Sequence, residues 1–162
     1  MPTSISCPRF LRYSSLSGKV LLKLLIVDDN PADVSLAREA LKACAYKGTI
    51  NSVVDGAEAL AFLGRRGTFS DAPRPDLVLL DLNLPKRDGL AVLTAMKASP
   101  DLRRIPVVIF STSQLERDIA RSYELGANCY VGKPGNLTQF FSMMKAIEDF
   151  WFGSVSLPPR GE

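Results

Sequence analysis

Several apolar runs in this sequence end in residues that can do chemistry. Residues 22–27 lead into Asp28 and Asp29. Residues 76–80 lead into Asp81. Residues 105–110 lead into Ser111 and Thr112, and residues 128–131 lead through Gly132 to Lys133. If those runs are parallel strands, three carboxylates, a hydroxyl and an ammonium meet on one edge. Clustered carboxylates repel and raise each other's pKa. A hard divalent cation relieves that repulsion, and Mg²⁺ suits one or two carboxylates plus water and a phosphate oxygen. Such a site fits phosphoryl transfer. Asp81 would be the nucleophile, because carboxylates form acyl phosphates. The cation and Lys133 would neutralise the moving group, and Ser111 would hydrogen-bond one of its oxygens. Singly, a strand-end Asp or a Ser-Thr pair most often caps a helix, and Lys133-Pro134 reads as a loop. The joint arrangement carries the argument.

Composition narrows the chemistry. The chain has 162 residues, 46% of them hydrophobic, enough for one domain with a real core. It contains no histidine. That excludes triads using His, His-ligated zinc and a phosphohistidine donor role. Cys7, Cys44 and Cys129 are too scattered for a C-x-x-C pair, so buried free thiols are expected. No apolar run reaches the ~18 residues of a membrane span. Residues 1–18 lack a signal-peptide core, so a cytoplasmic location is expected and no membrane association. Residues 1–23 hold Arg9, Arg12, Lys19 and Lys23 and no acid, leaving 3 − 4 = −1 for the rest. Four scattered basic residues read as a solvated leader, with no nucleic acid as partner.

The elements that must position these residues follow from pattern. Residues 22–27 form a first strand, buried on both faces. Asn30 and Pro31 cap and open a helix to about residue 45, with Val34, Ala37, Leu41 and Cys44 on one face. A second strand spans 49–54, and Asp55-Gly56 turns into a helix whose apolar positions are Ala57, Leu60, Ala61 and Leu63. The third strand spans 76–80. A loop over 82–88 precedes a helix at 89–98. A fourth strand spans 105–110, followed by a helix at 114–125. A fifth strand spans 128–131, and Asn136 caps a last helix to about Phe152. Strands alternating with helices imply an α/β fold: a doubly wound parallel sheet covered on both faces. Function then gathers beyond the carboxyl ends of the strands. The expected organisation is a loose leader over 1–18, one domain over 19–152 and a tail over 153–162.

These motifs resemble a known family. Ile26-Val27-Asp28-Asp29-Asn30, Leu79-Leu80-Asp81-Leu82-Asn83-Leu84-Pro85 with Asp88-Gly89, Phe110-Ser111-Thr112 and Tyr130-Val131-Gly132-Lys133-Pro134 look like the response-regulator receiver domain, over roughly residues 20–150. The resemblance implies a five-stranded, (βα)5 flavodoxin-like sheet of order 2-1-3-4-5. It implies Asp81 as phosphoacceptor, charged by a phosphohistidine of a sensor histidine kinase. It implies Mg²⁺ bound by Asp29 directly, by Asp28 mainly through water, by Asp81 and by the backbone carbonyl of Asn83. Lys133 contacts the phosphoryl group. Ser111 is the switch hydroxyl, where Thr is commoner, and Tyr130 the aromatic whose rotamer follows it. Such a protein is no enzyme in the ordinary sense, although it catalyses its own phosphorylation and slow dephosphorylation. Gly132 is expected to loosen its strand end.

Phe150-Trp151-Phe152, Asn128-Cys129-Tyr130 and the layout without an output domain are similar to single-domain regulators partnered with bacterial and cyanobacterial phytochromes. That implies a light-sensing kinase and a homodimer. The last helix and C-terminal segment would build it, with the three aromatics extending past the domain edge. Three other readings compete. A haloacid-dehalogenase-type phosphatase also uses a strand-end Asp and Mg²⁺, but needs a carboxyl where Asn83 stands. A receiver-like adaptor acting without phosphorylation would not need the full acidic, hydroxyl and lysine set. A nucleotide- or flavin-binding domain lacks its glycine motif here.

Overall fold

The computed structural model describes residues 21–44 and 46–160. Residues 1–18, with Cys7, lie outside them. The elements are β1 (Lys23–Val27), α1 (Pro31–Ala43), β2 (Thr49–Val53), α2 (Gly56–Leu63), β3 (Leu77–Leu80), α3 (Gly89–Ala98), β4 (Val107–Ser111), α4 (Glu116–Glu124), β5 (Cys129–Gly132) and α5 (Leu137–Glu148). All strand pairs are parallel, in the order β2-β1-β3-β4-β5. This is the doubly wound α/β sheet expected from the alternating pattern. Between β1 and β3 the winding reverses, which opens a crevice at their carboxyl ends.

The inner strands β1, β3 and β4 read as largely continuous apolar runs because both sheet faces are covered there. Alternate residues serve the two faces. Leu25, Val27, Val78, Leu80, Val107 and Ile109 pack with α2 and α3. Leu24, Ile26, Leu77, Leu79, Val108 and Phe110 pack with α1 and α5. On α1, Ala37, Ala40 and Leu41 are buried, as is Asp55 at the cap of α2. On α2 the buried face is Ala59, Phe62 and Leu63, while Ala57 is exposed. The expected stripe was therefore rotated by one position. Cys44 and Cys129 are free but half-buried rather than buried.

Boundaries differ where backbone groups decide them. β3 begins at Leu77, and the buried Asp76 just before it accepts the Lys23 N–H on its side chain while its own N–H donates to the Lys23 carbonyl. β4 runs on to Ser111, where Lys133 N–H donates to the Ser111 carbonyl. Gly132 pairs with Ser111, so the strand end holds together there. A 3-10 turn at Gly67–Phe69 packs the Phe69 ring edge-on against Phe62, a feature without a periodic signal.

The C-terminus departs most from expectation. The α-helix stops at Glu148 and continues as a π-helical turn over Asp149–Ser154. The wider turn brings Trp151 and Phe152 back onto the α1–α5 side of the core, with Phe152 tilted against Tyr46. Of the three aromatics, only Phe150 is exposed, at 53%. Arg160 then forks onto Asp76, with Nε donating to Oδ1 (2.8 Å) and Nη2 to Oδ2 (2.6 Å). Among the described residues no helix is long and apolar enough to cross a membrane.

Met96 on α3 is fully buried between helix and sheet. Met96→Ala is expected to cost about 3 kcal/mol in urea unfolding. Leu115→Ala, at a position 50% exposed, should change stability by no more than about 0.5 kcal/mol.

Candidate phosphoacceptor and metal site

The carboxyl ends of β1, β3 and β5 deliver the expected groups to one place. Asp28 and Asp81 are buried and Asp29 is exposed. Each offers a carboxylate oxygen, and these three lie within 4.8 Å of one another. The backbone holds the acids in position. Asp28 N–H donates to the Val53 carbonyl, and Asp81 N–H to the Val27 carbonyl. Asp28 Oδ1 accepts the Asn30 N–H at 2.9 Å, and Asp81 Oδ1 the Asn83 N–H at 3.2 Å. Gly89 is required here: a Cβ would collide with the Asp81 carbonyl oxygen. Asn83 itself is exposed, two residues past the acceptor, with no carboxyl to give.

Lys133 occupies the centre. Its Nζ donates to Asp28 Oδ2 (2.7 Å), Asp81 Oδ2 (2.8 Å) and Asp33 Oδ2 (2.9 Å), and the side chain is only 5% exposed. It also stands 5.8 Å from the Phe110 ring centroid, within cation–π reach. Burial alone would push its pKa down, but the hydrogen bonds to Asp28, Asp81 and Asp33 outweigh that and hold it above the ordinary lysine range. Burial pushes the Asp28 carboxyl up, against the Lys133 ammonium and the Asn30 amide. Repulsion among the acids, expected to need a cation, is thus already offset by a lysine. Asp33 was not anticipated. Its signal was an acid in the first turn of the helix that directly follows a strand ending in acids.

Ser111 is fully buried, and its Oγ accepts the Ser113 N–H at 3.3 Å. The Tyr130 hydroxyl donates to the Ser113 carbonyl at 2.8 Å, and Tyr130 is half-buried. Both residues therefore grip the loop between β4 and α4. On the other flank, Lys86 sits at φ 62° in the β3–α3 loop, a conformation uncommon for a side-chain-bearing residue. Its ammonium contacts the buried Asp55 at 2.9 Å.

The donor set fits a divalent cation: three carboxylates with oxygens close together, one of them open to solvent. Asp28, Asp29 and Asp81 would hold it.

Comparison with known proteins agrees with this geometry. The family model of the response regulator receiver domain matches residues 24–145. The chain belongs to the response regulator receiver family. It is 47% identical over 135 residues to response regulator Rcp1 of Synechocystis, covering 83% of this chain and 92% of that protein. It superposes on the phosphorylated cyanobacterial phytochrome response regulator RcpA with a TM-score of 0.84, at 48% identity, over 86% of this chain and all of that one. The Mn²⁺-bound form of Rcp1 gives a TM-score of 0.82 at 46% identity, over 85% of this chain and 99% of that one.

Removing the lysine leaves two buried carboxylates unpaired. Lys133→Met is expected to destabilise the metal-free protein by about 3 kcal/mol in urea unfolding, and Mg²⁺ should restore part of that loss. An unchanged unfolding midpoint without metal would contradict the charge balance described here.

Proposed function

We propose that this chain is a response regulator whose Asp81 takes a phosphoryl group from the phosphohistidine of a sensor kinase. The observation that carries this reading is the meeting of Asp28, Asp29, Asp81 and Lys133 at the β1–β3 crevice. A carboxylate oxygen of Asp81 forms the new P–O bond as the P–N bond to the donor imidazole breaks. Asp28, Asp29, Asp81 and the Asn83 carbonyl would hold Mg²⁺, which when bound would supply positive charge to the phosphoryl oxygens. Transfer consumes the Asp81 charge, so the Lys133 donor now on Oδ2 follows the charge to a phosphoryl oxygen. Phosphorylation from a small donor and slow hydrolysis of the product would use the same site.

Readout would run through the β4–α4 loop. If the Ser111 hydroxyl turns toward the phosphoryl group, the Ser113 N–H loses its acceptor. The loop then shifts, and with it the carbonyl that holds Tyr130. The similarity to the cyanobacterial phytochrome response regulator RcpA supports a phytochrome kinase as donor, and the proposed receiver unit is residues 19–152 in a cytoplasmic protein. A second copy of this chain is the proposed partner of the α5 region, where Leu137 and Phe150 are exposed.

Asp81→Asn should abolish acid-labile phosphorylation by acetyl phosphate with Mg²⁺, read by intact-protein mass spectrometry, while circular dichroism stays unchanged. Full labelling of that variant would place the acceptor elsewhere. Light scattering tests the dimer: at micromolar concentration the full-length protein should run at twice its monomer mass, and a monomer in both phosphorylation states would rule the dimer out.

A further inference from the structure

The three hydrogens of an ammonium can each serve one acceptor. Lys133 spends them on Asp28, Asp81 and Asp33. Two of those acceptors belong to the cluster that would hold the cation, and Asp33 does not. Asp33 comes from a different element, the first turn of α1. That turn is fixed by Pro31 and by Asn30, whose Oδ1 accepts the Ala32 N–H at 3.0 Å. Its carboxylate is half-buried and reaches across to the end of β5.

During the cycle the other two contacts must weaken. A cation draws on the oxygens of Asp28 and Asp81, and phosphoryl transfer removes the charge of Asp81. A lysine held only by those two would swing on its flexible four-carbon stem. The geometry points to Asp33 as a positioning residue that anchors Lys133 throughout and aims its free donors at the phosphoryl oxygens. Asp33 would touch neither metal nor phosphoryl group. This inference rests on Asp81 as the phosphoacceptor and assigns part of that site's geometry to a residue outside the metal cluster.

The test is a double-mutant cycle on beryllofluoride affinity with Mg²⁺, followed by fluorine NMR of the bound probe. Asp33→Asn keeps side-chain size and removes the charge. It should weaken beryllofluoride about tenfold, as loss of a charge-assisted hydrogen bond predicts. In a Lys133→Met background the same substitution should change affinity less than about twofold. Asp33→Glu keeps an acid near the α1 N-terminus but moves the carboxylate, so it should also weaken binding if position is what matters. Thermal unfolding of each variant separates a helix-capping loss, which would appear equally in both backgrounds. An equal affinity loss with and without Lys133 would make Asp33 a diffuse charge and overturn the assignment, as would no loss at all. Failure of the unmutated protein to bind beryllofluoride would instead overturn the phosphoacceptor reading, and this inference with it.

Discussion

One buried ammonium holds the site together. Asp28 and Asp81 sit at adjacent strand ends with almost no solvent access, where two like charges cannot both persist without compensation. Lys133 supplies it, from the far side of β4. That requires the strand order found here. β1 and β3 must be neighbours to bring the acids together, and β5 must lie close enough for a long side chain to cross the β4 end. The local details then follow. Gly89 lets α3 close against the Asp81 backbone, and the pairing of Gly132 with Ser111 sets the height at which the lysine leaves the sheet.

The same charge balance links structure to switching. A phosphoryl group and a cation add charges that the resting cluster lacks, so the lysine must redistribute its hydrogen bonds. Under the proposed function, two separate contacts flanking the site would register the change. Ser111 and Tyr130 both hold Ser113 in the β4–α4 loop. Lys86 holds the loop after the acceptor against the cap of α2. The first lies on the β5 side of the site and the second on the α2 side.

Much of this was legible in the chain. Strand-end chemistry stands out because buried parallel strands are apolar to their last residue, so Asp28, Asp81 and Lys133 interrupt an otherwise uniform pattern. The doubly wound parallel sheet followed from alternation, and its strand order from the resemblance. Less was legible where tertiary geometry decides. Asp33 looks like an ordinary first-turn acid, and only the fold shows that it faces Lys133. The pairing of lysine with carboxylates before any metal arrives needs distances. The π-helical turn at Asp149 carries no sequence period of its own, so Trp151 and Phe152 read as protruding when they fold back. Nor does a lone Arg160 announce that it will fork onto a buried Asp76 at the opposite, amino-terminal edge of the sheet.

The account turns on Lys133 exchanging partners when a phosphoryl group arrives. A crystal structure of the Mg²⁺–beryllofluoride complex tests that most directly. The account predicts that Lys133 Nζ leaves Asp81 Oδ2 and sits within hydrogen-bond distance of a beryllofluoride fluorine, with beryllium attached to Asp81. A complex in which beryllium sits on another residue, or in which Lys133 keeps Asp28 and Asp81 and ignores the fluorines, would contradict it.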